Sequence, residues 1–164
     1  MAADQNINQF SQGRAVGDLD LNFFGGENKI SCRYNPEDTA TNKLVAGETV
    51  KLVDLGSSDS AGIPIIAKRT ADTDTIFGVV VRSLKDSSFS PEAIVEIAVN
   101  GAVMNLCASA AINRGVKVSG VVATPGNIQA VGTKAYLGYT LDKAVSANDI
   151  VRVMIQADAV TAGA

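Results

Sequence analysis

The stretch Ala93-Ile-Val-Glu-Ile-Ala-Val-Asn-Gly-Ala-Val-Met-Asn-Leu106 decides the fold class. Val95, Ile97 and Val99 fall on one side and Glu96, Ala98 and Asn100 on the other, the period of two expected of a strand with unlike faces. Gly101 then separates two apolar runs, where a residue lacking a side chain marks a bulge or a bend. The alternation returns near the end of the chain, with Val151, Val153 and Ile155 opposing Arg152, Met154 and Gln156.

Outward from these segments, short runs rich in Val and Ile alternate with turn residues, as strands joined by tight loops do. The expected strands are Thr49–Leu55, Ile63–Lys68, Thr75–Arg82, Ala93–Asn100, Ala102–Leu106, Val116–Val118, Asn127–Val131, Ala135–Leu141 and Asp149–Gln156. The helical hint is Ala108 to Arg114 followed by Gly115, two turns at most. Such a series of short strands predicts an all-β chain, a small β-barrel or sandwich. There is also a faint internal echo. Val45-Ala-Gly-Glu-Thr-Val-Lys-Leu52 resembles Asn113-Arg-Gly-Val-Lys-Val118, and Ile76-Phe-Gly-Val-Val80 resembles Tyr136-Leu-Gly-Tyr-Thr140. Ala147-Asn-Asp-Ile-Val-Arg-Val153 reads as a third variant of the first element. Either a pseudo-repeat of strand pairs or the general look of turn-then-strand accounts for it.

Residues 1–43 differ from the rest of the chain. They are rich in Asn, Gln, Asp and Gly, yet hold Phe10, Phe23, Phe24 and Tyr34, half of the eight aromatic residues. A disordered tail is usually poor in aromatics. The expected organisation is an extended N-terminal arm over 1–43, a β-barrel domain over 44–157 and a C-terminal tail over 158–164. Asn28 to Tyr34, after Gly25-Gly26, reads as a strand within the arm. The arm is expected to lie across neighbouring subunits, with Phe10, Phe23, Phe24 and Tyr34 as interface residues; folding back onto its own domain is the alternative.

Composition narrows the function. The chain has 164 residues, a formal net charge of −3 and no histidine. Its fourteen basic residues are scattered, whereas nucleic-acid binding needs clustered cations that displace counterions; no nucleic-acid partner is expected. No eighteen apolar residues run together, so no membrane helix is expected, and the N-terminus lacks the basic-then-apolar pattern of a signal peptide. Cys32 and Cys107 stand far apart in apolar surroundings, which suits buried thiols in a reducing cytoplasm rather than a disulfide or a zinc site. Without histidine the commonest general base is missing. Gly56-Ser-Ser-Asp-Ser-Ala-Gly62 lacks a strand-to-helix elbow and a base, and reads as a flexible hairpin tip. Asp72 and Asp74 read as an acidic loop, since a calcium loop wants more oxygen ligands and a closing Glu. No catalytic residue, cofactor or metal is expected, and the chain is not read as an enzyme.

Six elements carry a family resemblance: Val45 to Leu52, Thr75-Ile-Phe-Gly-Val-Val-Val81, Val95-Glu-Ile-Ala-Val-Asn-Gly-Ala-Val103, Ile112-Asn-Arg-Gly-Val-Lys-Val118, Ala135-Tyr-Leu-Gly-Tyr139 and Val151-Arg-Val-Met-Ile155. In this order they make residues 44–156 resemble the tailed-phage capsid cement (head decoration) proteins of the DUF2190 type. The resemblance implies a β-tulip-like barrel and a trimer at three-fold positions. It further implies attachment to the outer head surface of the virion, where the protein clamps neighbouring major capsid proteins after synthesis in the host cytoplasm. Alternatives are another virion subunit, of tail or baseplate, a β-sandwich adhesion module binding glycans, or an enzyme using carboxylates alone.

Overall fold

The computed structural model describes residues 15–20, 28–55 and 62–157. Its described residues form twelve strands and no helix, so the all-β expectation holds. Where one barrel was expected, there are two.

The first barrel contains β1 (Lys29–Tyr34), β3 (Thr49–Leu52), β4 (Ile65–Lys68), β5 (Gly78–Val80) and β7 (Ile94–Ala98). It closes in the order β1-β4-β3-β5-β7. The second contains β8 (Val103–Ala108), β9 (Lys117–Gly120), β10 (Asn127–Ala130), β11 (Gly138–Thr140) and β12 (Ile150–Ile155). It closes in the order β8-β10-β9-β11-β12. A short ladder of β2 (Leu44–Val45) with β6 (Ser88–Phe89) lies apart from both, and the sequence reading missed it. Closure pairs every strand on two sides and removes most of the edge that an open sheet leaves bare.

The two barrels are copies of one design. In each, the first strand runs parallel to the third, β1 with β4 and β8 with β10, and all other pairings are antiparallel. The register also matches. Arg33 faces Ile65 and Ile94, as Cys107 faces Asn127 and Ile150. Val50 faces Gly78, as Val118 faces Gly138. The echo seen in the sequence is therefore a structural duplication, with Gly47 matching Gly115 and Gly78 matching Gly138. The third variant was misplaced: Ala147–Val153 leads into β12, whose counterpart is β7, not β3. Glu92 and Asn148, the two non-glycine residues with positive φ among the described residues (71° and 73°), stand two residues before Ile94 and Ile150, marking the same tight turn in both copies.

Gly78 and Gly138 show why the echo keeps glycine. A Cβ on Gly78 would stand 2.4 Å from the carbonyl oxygen of Ala98, and one on Gly138 would stand 1.9 Å from that of Met154. Ala98 and Met154 occupy the same place in β7 and β12, so each barrel brings one strand so close to the next that no side chain fits.

Three expectations are corrected. The strand at Asn28–Tyr34 exists, but β1 pairs with β4 and β7 and is a barrel stave rather than arm; the domain does not begin at Leu44. Residues 15–20 also lie on the domain, along β8. The helix expected at Ala108–Arg114 is absent because tertiary partners take its backbone groups. Ile112 and Ala144 exchange two backbone bonds, and the Thr140 hydroxyl donates to the Asn113 carbonyl. Gly101, with φ of 93°, does mark a bend: it lies where the chain leaves β7 of one barrel for β8 of the other.

Cys32, Tyr34, Val50, Ile66, Val80, Val95 and Ile97 fill the first barrel. The outward residues Ile76, Val79 and Ala98 join Met104, Leu106, Ile128, Leu137 and Val153 in one cluster, so the barrels share apolar packing as well as a chain.

Candidate interaction surfaces

Of the four residues expected at an interface, Phe10, Phe23 and Phe24 lie outside the described residues. Tyr34 is fully buried. It follows Cys32 on the inward face of β1, and its hydroxyl sits between the Asp38 carboxylate (2.8 Å) and the Asn42 carbonyl. Burial and the neighbouring Asp38 both push its phenol pKa up, since both oppose a second negative charge. Tyr34 is thus an interior side chain of its own barrel, which corrects its assignment to a subunit interface. Its polar tip is satisfied locally, as a buried phenol requires.

The acidic loop after β4 forms the joint between the barrels. Arg69, almost wholly buried, donates to Thr49 Oγ1 (2.8 Å) and to the Asp74 carbonyl (3.0 Å) within the first barrel. It also donates to the Gly120 carbonyl (3.2 Å) of β9 in the second. Asp72 reaches the other way, accepting from the Val122 amide and from Gln129 Nε2, both at 2.9 Å. Those two bonds, the backbone one first, hold its pKa below the usual carboxylate value. Asp74 accepts from the Thr70 amide and from Lys51 Nζ (3.1 Å). The sequence shows only an acidic loop here, because the partners of Asp72 and the Gly120 carbonyl that Arg69 meets lie roughly fifty residues downstream.

A second contact comes from residues 17–20. Gly17 donates to the Asn105 carbonyl, Asn105 donates to the Asp18 carbonyl and Asp20 donates to the Val103 carbonyl, at 2.8–2.9 Å. Leu19 forms an antiparallel bridge with Met104, which is fully buried. On the outer face Arg152 pairs with Asp142 (2.7 Å) and Asp20 (3.5 Å); these bonds, Asp142 foremost, push the guanidinium pKa up.

The matching strand of the first barrel is open. Arg33 donates to the Pro64 carbonyl and Tyr34 to the Ala93 carbonyl. Alternation therefore aims the backbone groups of Lys29 and Ser31 away from β7, past the point where the β4 ladder begins at Arg33. Among the described residues nothing pairs with them on that side, and residues 28–31 are exposed. Ile30, the counterpart of Met104, is 38% exposed. Beside this strand an open groove of about 680 Å³ is lined by Lys29, Leu84, Phe89, Ala93, Ile94 and Glu96, among others. Leu84 and Ile94 are strongly exposed there.

Among the described residues no three His, Cys, Asp or Glu side chains gather as metal ligands, and no helix is long and apolar enough to cross a membrane. Both cysteines are free thiols.

The family model described as XM1 gp53 minor capsid protein matches residues 22–155. No curated protein matches the chain. The matched span includes all twelve strands and both barrels. The chain belongs to this minor capsid protein family and is a structural component of a phage virion.

Proposed function

From that membership we propose that the protein is a capsid cement protein. It binds the outer surface of the phage head as a homotrimer, clamps neighbouring major capsid proteins and catalyses no reaction. The observation that carries the reading is the match to a minor capsid family over both barrels. The architecture suits the task. Two closed barrels joined through Arg69 and Asp72 give a stiff body, and the open strand and apolar groove of the first barrel offer it contact surfaces. Many weak contacts repeated over a lattice hold strongly, because each anchored copy raises the effective concentration of the next contact.

The experiment mixes purified protein with matured, DNA-free heads at one fixed salt concentration and pellets the heads. Saturable co-sedimentation is expected, together with a rise in the temperature at which the heads come apart. The Phe10, Phe23, Phe24 triple alanine variant is expected to keep its fold and lose most head occupancy, because aromatic anchors cost on the order of 1–4 kcal/mol each when truncated. Binding to isolated tails or baseplates with none to heads would move the protein elsewhere in the virion and end the cement reading.

A further inference from the structure

The duplication supplies an internal reference for what each strand edge needs. In the second barrel the edge of β8 at Val103–Asn105 is covered by an extended segment, with three backbone bonds and Leu19 opposite Met104. The equivalent edge of β1 at Lys29–Ser31 presents the same backbone groups in the same register, and in place of a buried Met104 it shows a half-exposed Ile30. An uncovered strand edge is a template for another chain, and strand addition takes affinity from the backbone and specificity from alternate side chains.

We propose that this edge receives the N-terminal residues 1–14 of a second copy of the chain, added as a strand to β1. Three observations favour this occupant. The chain's own N-terminal region already covers the equivalent edge of the second barrel, at residues 17–20. Residues 1–14 lie just upstream of that anchored segment and span about 45 Å when extended, enough to reach a neighbour. Within them the stretch Asp4-Gln-Asn-Ile-Asn-Gln-Phe10 has neither Pro nor Gly. Every amide there can donate, and Ile7 or Phe10 can face Ile30 as Leu19 faces Met104. Each copy gives an arm and takes one, and a head-to-tail contact of this kind closes into a ring where the rotation between copies allows it. The inference deepens the self-association in the proposed function without depending on head binding.

Complementation tests it. Ser31→Pro removes the outward amide and is tolerated where that amide faces solvent; a chain lacking residues 1–14 keeps the edge and loses the arm. Sedimentation velocity should show the wild type associating, each variant alone as a monomer, and an equal mixture of the two forming a pair. The proposal is overturned by a monomeric wild type at every concentration, by Ser31→Pro associating like wild type, or by a mixture that stays monomeric. Should Ser31→Pro fail to melt cooperatively, amide exchange in the wild type decides. Lys29 and Ser31 should slow by about tenfold or more as concentration rises, and not in the chain lacking residues 1–14; concentration-independent exchange overturns the proposal. A monomer that still coats heads would sink this inference and leave the head-surface reading standing.

Discussion

The two barrels solve one packing problem with different side chains. At matched interior positions the first barrel carries Cys32 and Tyr34 where the second carries Leu106 and Ala108. A small and a large residue in one copy answer a large and a small one in the other, so volume is conserved by exchange rather than by identity. Val50 and Val118, Ile66 and Ile128, and Val95 and Val151 are unchanged. Val80 is replaced by Thr140, whose buried hydroxyl donates to the Asn113 carbonyl, as a polar group in a core must. What both copies require is the apolar alternation, the register and the glycine beside β7 or β12. What they do not share is their surroundings: the Arg69 joint has no counterpart, since Val131 occupies the matching position after β10.

If the comparison is right, the glycines are its most sensitive points. Gly138→Ala drives a methyl group into the Met154 carbonyl, and Gly78→Ala drives one into that of Ala98. Backbone stands on both sides, so neither contact relaxes by a rotamer change. We expect a loss of about 3 kcal/mol or more for each, larger for Gly138→Ala because its contact is closer. Urea unfolding measures both. A cost below about 1 kcal/mol at either site would mean that the duplicated glycine is not what holds adjacent strands together.

The joint comes next. Arg69→Met keeps the aliphatic stem and strips the buried carbonyl of Gly120, and the partly buried ones of Ala71, Asp72 and Asp74, of their donor. Burial itself pulls the Arg69 pKa down, opposed by the charges of Asp72 and Asp74. Removing a charged donor from buried acceptors costs about 2–4 kcal/mol. The sharper readout is calorimetric: the wild type should unfold in one transition, and the variant should broaden or split as the barrels uncouple. An unbroken single transition with unchanged enthalpy would show that the shared apolar cluster alone couples them.

Local patterns were legible in the sequence and distant pairings were not. The alternation at Val95–Val99 and Val151–Ile155 marked β7 and β12, and the repeated Gly-centred elements marked β3, β5, β9 and β11. Two barrels could not be read from those elements, because closure depends on β1 meeting β7 some sixty residues downstream, and nothing in the periodicity of one segment names its partner. β1 was taken for arm for a related reason: it sits in polar, Asn-rich surroundings and its first residues are exposed, although Cys32 and Tyr34 point inward. Residues 108–114 misled because alanine favours a helix, and bonds from Ala144 and Thr140 overrode that local preference. The candidate surfaces were the least legible. Tyr34 drew attention as an aromatic in a polar stretch and proved interior, while the open edge at Lys29–Ser31 is a property of the backbone, visible only beside its covered counterpart.

The smallest expected effect concerns the two thiols, and it separates the barrels most cleanly. Cys32 faces the interior of the first barrel and is fully buried; burial pushes its pKa up to about 11. Cys107 lies on the outer side of β8, partly exposed, with its pKa raised by burial and then by Asp149. A thiolate is the reacting species, so at mildly alkaline pH both should alkylate slowly, Cys107 in the folded protein and Cys32 only when the first barrel opens. Reductant should change neither mass nor melting temperature, as two free thiols in different barrels leave no disulfide to break. Under conditions where opening is fast relative to labelling, the Cys32 rate reports the free energy of opening that barrel. In wild type that energy should equal the global unfolding energy, because the barrels open together. In Arg69→Met it should fall below the global value, so that Cys32 labels before the second barrel melts. Labelling of Cys32 in native wild type as fast as Cys107 would show instead that the first barrel opens by itself, and that the joint does not make one cooperative unit of the two copies.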